Sequence, residues 1–547
     1  APYPMATAVE TSAARALPLA RLLSSDQLFA RRAAAAHSAL PVGDRDIAAS
    51  RQAEGSSVSS VDSFWCVAAV AAAAGFGGFS IGRATHRRGA RRSSRYQLRV
   101  FGNALRDRCV AHVGGSRVAM AAKGGRPLPE LPLPAPLCAT DGKADGAQPE
   151  DVFTWDTVTT RMPKILDSVV ETLPDQDPQL LEGIRRLQRE MVEGAQLQLL
   201  TSKEPRVNAG HWNEALAPFI EKGEGWHDAP WWTVENYMYK RLMEELATNG
   251  KQAANYDPFE PQKLQALEVA VAALETSVKS VLEVIESAEA QPLGHPDRRN
   301  ALEAALLRSL WGNQADLSLS AGKVAAEGGD NKAKDQLLSD HTSKALDLIS
   351  SAEGREIVIV LDNHGLEVIC DLVLVDALLQ LSGCSSVALH VKDSPIFVSD
   401  VTEADVPGIL DWLEGRMPPL ASRLRSWQKE GRLKVVSSDY YTTALPFWQL
   451  PEDLESMYRE AAVVFLKGDA NFRRLLGDLH WAYDTDFQKY TESFWPSDGL
   501  VSLRTMKSGV AIGIPEERQT AAKAQRPSDW LTSGVFGQVL AATGRGA

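Results

Sequence analysis

Cysteine is scarce: the 547 residues contain five, with no Cys-x-x-Cys pair and no cysteine–histidine spacing suited to zinc. That scarcity excludes a disulfide scaffold and a structural zinc module, and it fits a reducing compartment. No Gly-x-Gly-x-Gly turn follows a strand-like run, and no Asp-x-Asp-x-Thr pattern occurs. The first absence removes the usual mark of a nucleotide-cofactor fold, and the second that of a familiar route to an aspartyl-phosphate. Positive charge is short outside one segment. Residues 83–128 hold twelve Lys or Arg against Asp107 alone and residues 1–82 hold six of each sign, so of a formal net charge of −12 the chain beyond Leu128 carries −23. A body that acidic is no general nucleic-acid binder, although a small anion can still be held in a local basic pocket.

What is present divides the chain in three, more than one compact core usually holds. Residues 1–149 read as leader and linker. Within them 63–82 has no charge and lies between Asp62 and Arg83. It is long enough to span a bilayer, yet mostly Ala and Gly, and is the only expected point of membrane contact. The Arg-, Ser- and Ala-rich stretch after it is similar to a transit peptide, so a plastid location is expected; an incidental extension would leave the cytoplasm. Residues 150–354 read as a helical cap domain. Leu267, Val271, Leu274, Val278, Val281 and Ile285 recur at steps of four and three, predicting one long helix between Pro258 and Pro292. Trp212, Trp226, Trp231 and Trp232 either fill the seam between this cap and the next domain or stack a sugar or base. A polar, Gly-containing run, 325–334, reads as a surface loop.

From 355 to 547 short β-branched or apolar runs at 357–361, 387–391, 433–436, 463–466, 510–514 and 535–540 alternate with helical segments. This predicts a layered α/β/α domain on a mostly parallel sheet, its last strand antiparallel. Strand ends are where such sheets place their chemistry. Asp362 and Asn363 stand at one end, Asp400 in Phe397-Val398-Ser399-Asp400 at a second, and Lys467-Gly468-Asp469-Ala470-Asn471-Phe472-Arg473-Arg474 at a third. Adjacent residues on a strand face opposite ways, so Asp362 and Asn363 can serve one ion only if the backbone turns, as Gly365 permits. Read alone, Asp362-Asn363 and Ser399-Asp400 are equally helix caps. The third segment crowds cations and a glycine into one turn and could cradle a phosphate at a helix start. Arg504-Thr505-Met506-Lys507 adds another pair of cations.

Taken together, Leu361-Asp362-Asn363-His364-Gly365-Leu366-Glu367, Phe397-Val398-Ser399-Asp400-Val401-Thr402, Lys467-Gly468-Asp469-Ala470-Asn471-Phe472-Arg473 and the Arg-Thr-x-Lys tetrad 504–507 resemble the metal-dependent damage-control phosphatases of subfamily III, also described as acidic-residue methyltransferase-like proteins. Arg161-Met162-Pro163-Lys164-Ile165, Ala229-Pro230-Trp231 and Tyr256-Asp257-Pro258-Phe259 are similar to that family's helical cap. The resemblance covers roughly 150–540. It implies metal ligands at Asp362, Asn363 and Asp400, with Asp362 and Asp400 catalytic, and substrate contacts at Glu367, Asp469, Asn471, Arg473, Arg504 and Lys507. His364 departs from it, since a small residue is expected there. It further implies hydrolysis of small sugar phosphates, fructose 1-phosphate and fructose 6-phosphate among them, with manganese, nickel or cobalt, or magnesium, as the divalent ion. Water activated at the metal is the expected nucleophile, with Asp362 as a covalent alternative. The other enzymatic reading is S-adenosylmethionine-dependent methylation of protein glutamate carboxylates, for which three oxygen ligands would have no purpose.

Overall fold

The computed structural model describes residues 128–144, 146–174, 177–250, 256–313 and 334–545, all within one compact unit running from Trp65 to Ala547. The apolar run 63–82, the basic segment up to residue 127 and nearly all of the expected loop 325–334 lie outside the described residues.

Seven strands form one sheet: β1 (Leu337–Asp340), β2 (Glu356–Val360), β3 (Ser386–Lys392), β4 (Leu433–Ser438), β5 (Val463–Lys467), β6 (Gly499–Thr505) and β7 (Gly537–Thr543). Their order is β1-β7-β6-β5-β2-β3-β4. Every neighbouring pair is parallel except β6 and β7, so the last strand is antiparallel to its neighbour as expected. The central runs 357–360 and 463–466 are unbroken and apolar because both sheet faces are covered. Val358, Val360 and Leu466 point into one core with the helices of 162–246. Ile357, Ile359 and Phe465 alternate into a second, with helices from 267–310 and 366–427. Each such side chain contributes about 1.5–3 kcal/mol by burial.

Five helices matter below: α1 (Trp231–Asn249), α2 (Glu260–Ala273), α3 (Pro296–Leu310), α4 (Leu366–Ala377) and α5 (Gly468–Leu476). The predicted long helix is present. It runs through α2, a wider turn at Leu274–Val278 and on through Lys279–Glu289, with Leu267, Leu274, Val278 and Ile285 buried.

The structure differs from the sequence reading in three places. The run 510–514 is not a strand. Val510, Ala511, Ile512 and Ile514 are at most 1% exposed, and that burial explains their apolarity without pairing. The neighbouring strand is instead β6, whose Ser502 and Arg504 break the apolar pattern although both are buried. β1 also joins the sheet, from upstream of residue 355. Finally, the Pro-rich stretch from 128 is packed: Leu137 and Ala139 are buried, and Leu137 N donates to Asp478 O at 3.2 Å while its carbonyl accepts from Trp231 N at 2.7 Å. Proline removes the N–H groups that a sheet would use, but the intervening residues still pack.

β2 lies between β3 and β5, so the chain leaves it on one side and returns on the other. The crevice of an open α/β sheet forms at such a reversal, beyond the carboxyl ends of the strands.

Candidate active site

Three chain segments meet at that crevice. Beyond β2, Gly365 takes φ 75, which turns the chain into α4, and a Cβ there would lie 2.8 Å from the Ala266 Cβ of α2. Beyond β3 the chain wanders through 393–399, where Phe397 and Val398 hold φ values of 50 and 68. A β-branched residue in that region costs about 1–3 kcal/mol and persists only when its surroundings enforce it. Here the Phe397 ring stacks on Trp232 at 5.6 Å and meets the Tyr239 edge at 5.5 Å. The result is that Asp400 pairs across from Asn363, with His364 N donating to Ser399 O at 2.7 Å and Val401 N to Asp362 O at 2.9 Å.

Neither aspartate caps a helix. Gly365 stands at the cap of α4 with no side-chain bond, and the helix after Asp400 starts only at Asp405, which itself accepts from Thr402 N. Both carboxylates are free for other work.

Asp362, Glu367 and Asp400 are 4%, 3% and 1% exposed. Asn363 Nδ2 bridges two of them, donating to Asp362 Oδ2 at 2.7 Å and Glu367 Oε2 at 2.8 Å, and its Oδ1 accepts from Ser399 Oγ. Lys392, the last residue of β3, places Nζ 2.9 Å from Asp400 Oδ2 and 3.9 Å from Asp362 Oδ1. The ammonium thus ion-pairs closely with Asp400 and also donates to Leu361 O. Asp362 Oδ1 accepts no hydrogen bond among the described residues, and Asp400 Oδ2 has only the Lys392 ammonium as its partner. Burial, then the charges of Asp400 and Glu367, push the Asp362 pKa well above the ordinary carboxylate value. Burial also raises that of Asp400, with Lys392 opposing. Lys392, with Lys467 3.4 Å from Glu367, offsets only part of the negative charge of these three carboxylates.

At the end of β5, Gly468 has φ 78, and a Cβ there would lie 1.8 Å from Asp362 Oδ2. The turn packs directly on the carboxylate. Of the residues predicted to bind substrate, Asp469 is 3.0 Å from the Arg504 guanidinium and accepts from Lys507 N at 3.4 Å. Asn471 Nδ2 ties strand ends together through Lys467 O at 2.7 Å and Leu361 O at 3.2 Å. Arg473 is held by Asp478 (2.7 and 3.0 Å) and Glu235 (2.6 Å) and lies over Trp231 at 3.6 Å. Arg504 donates to Val510 O at 2.7 Å and lies over Phe472 at 4.3 Å. The Lys507 side chain has no hydrogen bond or ion pair among the described residues, yet its charge acts on Asp362. The Trp cluster fills seams: all four rings are at most 3% exposed.

The sequence reading missed Lys392 altogether. A lysine closing an otherwise apolar strand was the available signal, because a buried ammonium needs anionic partners.

Among the described residues no three His, Cys, Asp or Glu side chains converge as a metal site. The set here is instead the carboxylates of Asp362 and Asp400, hard oxygen donors of the kind that hold divalent ions alongside water and phosphate, with an Asn363 amide whose nitrogen bonds Asp362 and Glu367 and whose oxygen accepts from Ser399. The buried, unbonded Asp362 Oδ1, beside an Asp400 oxygen held only by Lys392, in a pocket rich in negative charge fits such an ion.

Residues 157–522 match the family model described as the damage-control phosphatase ARMT1-like domain. The chain is 29% identical to the damage-control phosphatase ARMT1 of Danio rerio over 71% of this chain and 94% of that protein. It is also 29% identical to that of Rattus norvegicus (72% and 96%) and 28% identical to that of Xenopus laevis (75% and 99%). Among solved structures it is similar to a DUF89 family protein from Pyrococcus horikoshii, at 16% identity and TM-score 0.37 over 65% of this chain and 92% of that one.

Proposed function

Because this chain belongs to the damage-control phosphatase ARMT1-like domain family, we propose that the crevice beyond β2 hydrolyses phosphate monoesters of small sugars, fructose 1-phosphate and fructose 6-phosphate first among them. The observation that carries the reading is the buried Asp362 Oδ1, which accepts no hydrogen bond among the described residues, beside an Asp400 oxygen held only by the Lys392 ammonium, with the charge of Lys507, unpaired among the described residues, acting on Asp362. A phosphate monoester brings the negative charge that Lys507 lacks, and a divalent ion brings the positive charge that the carboxylates lack.

Asp362, Asn363 and Asp400 would hold that ion, manganese, nickel or cobalt by preference and magnesium as an alternative. When bound, it supplies charge neutralisation at the phosphoryl oxygens and makes a nearby water more acidic. Lys392 keeps the Asp400 carboxylate turned toward Asp362 and neutralises part of the pocket between substrates. Lys507 offsets charge on the phosphoryl group in a loose transition state, where stabilisation is mainly electrostatic. Arg473 and Asn471, committed to Asp478, Glu235 and the strand-end carbonyls, support the turn that carries Asp469. Trp232 and Tyr239 from α1 brace the Phe397 loop and so fix Asp400.

The test is phosphate release from fructose 1-phosphate by chelator-stripped protein reloaded with Mn²⁺, run beside Asp400→Ala. Equal rates for the two proteins would sink the proposal.

A further inference from the structure

Behind the carboxylates lies a second, fully buried polar unit that the mechanism above does not use. Lys467, the last residue of β5, is 0% exposed. Its Nζ donates to Ser309 O at 2.9 Å and lies 3.1 Å from Asp371 Oδ1 and 3.4 Å from Glu367 Oε1. Ser309 Oγ donates to the same Asp371 oxygen at 2.6 Å. Ser309 comes from α3, Asp371 and Glu367 from α4, so three elements close on one ammonium.

A buried ion pair made only for stability needs one carboxylate, and burying extra charge costs more than it returns. Asp371 already supplies that partner. Glu367 is different: its Oε1 faces Lys467 while its Oε2 accepts from Asn363 Nδ2 at 2.8 Å. One carboxylate thus joins the buried lysine to a predicted metal ligand. The helix tail presses on the same residue, since a Cβ on Gly312 would lie 2.9 Å from Glu367 Cα.

We propose that Lys467, with Asp371 and Ser309, is a positioning unit that fixes the Glu367 carboxylate and, through it, the side chain of Asn363. This deepens the phosphatase reading and rests on it for the identity of the site. Glu367 is then a positioning residue whose two oxygens are spent inside the protein, not a substrate contact. The arrangement also explains how the helical half of the chain reaches the chemistry. Ser309 enters the unit from α3 and is 0% exposed.

The experiment uses the full chain with Lys467→Met and with the milder Ser309→Ala, read by phosphate release, by Mn²⁺ titration calorimetry and by thermal denaturation. Removing an outer partner of a metal ligand typically costs about 10–100-fold in metal affinity or activity. We expect Lys467→Met to lose about that much in kcat and in Mn²⁺ affinity, with KM nearly unmoved. Adding Glu367→Gln to Lys467→Met should recover part of both, because it removes one of the two stranded charges, the one that reaches Asn363, and keeps an acceptor for it. A purely structural lysine would lower the melting temperature and leave kcat and Mn²⁺ affinity unchanged; that result overturns the proposal. Should Lys467→Met fail to fold, Ser309→Ala decides. A reduced kcat and Mn²⁺ affinity supports the unit, and wild-type values for both overturn it. If wild-type protein releases no phosphate, the phosphatase reading fails by itself. The positioning claim is then judged by a crystal structure of Ser309→Ala, which overturns it if Asn363 keeps its bond to Glu367 with both side chains unshifted.

Discussion

Replacing Gly468 by alanine should silence the enzyme while hardly unfolding it, and the structure allows the two effects to be separated. The added Cβ would stand 1.8 Å from Asp362 Oδ2, 2.3 Å from its Cγ and 2.7 Å from its Cβ. Contact with Cβ means that rotating the carboxylate cannot relieve the clash, so Asp362 must retreat by about 1 Å, a misplacement worth about 100-fold in rate at a catalytic group. The backbone adds a separate cost of about 1–2 kcal/mol for an L-residue in the left-handed region. Gly431 provides the control. It has φ 76 against 78 at Gly468, but a Cβ there meets nothing within 4 Å. Gly431→Ala therefore carries the backbone cost alone and should keep wild-type kcat with a slightly lowered melting temperature. Gly468→Ala should show a comparable or somewhat larger thermal shift, a kcat lower by about 100-fold and weakened Mn²⁺ binding. Wild-type turnover in Gly468→Ala would refute the placement of Asp362 at the reacting centre.

Further outcomes follow from the same geometry. Asp362→Asn should abolish turnover yet raise the melting temperature of chelator-treated protein at neutral pH, because burial and the neighbouring Asp400 and Glu367 make the ionised form unfavourable; a lowered melting temperature would contradict that electrostatic account. Lys507→Ala should weaken both substrate binding and turnover, with an apparent loss of about 2–5 kcal/mol in kcat/KM if the charge is desolvated, and unchanged kinetics would remove it from the site. His390 is held neutral by burial, its pKa depressed to about 4 from 6.5, and its ring bonds Tyr441 Oη at 2.7 Å. The folded state thus binds fewer protons than the unfolded chain, so this contribution is present above pH 6.5 and is lost as pH falls toward 4, by about 3 kcal/mol in all. Denaturant midpoints against pH should show a shallower acid decline in His390→Gln, and identical slopes would exclude His390 as a source.

Much of the fold was legible because it is written in burial. The runs at 357–361 and 463–466 are apolar on both faces, and 387–391 nearly so, its His390 aside; only a covered parallel strand asks for that. β6 escaped because Ser502 and Arg504 sit inside it, and 510–514 misled because deep burial without pairing leaves the same apolar trace. The strand-end residues of the site were legible as positions, but their roles were not. Helix capping and ion binding call for the same Asp and Asn, and only the strained loop at Phe397 and Val398 reveals that Asp400 faces Asn363. Long-range partners were the least accessible. Nothing local to Arg473 announces Asp478 and Glu235, and nothing near Lys467 announces Ser309, 158 positions away.

Phosphate release from a panel of sugar phosphates by metal-stripped protein, before and after reloading with Mn²⁺, Co²⁺, Ni²⁺ or Mg²⁺ and without any methyl donor, decides between a metal-dependent phosphatase and a methyltransferase. A metal-dependent sugar phosphatase gives no release before reloading, release from fructose 1-phosphate and fructose 6-phosphate after it, and loss again with chelator. Absence of release with every ion and every sugar, together with tight binding of S-adenosylmethionine, would contradict the phosphatase reading.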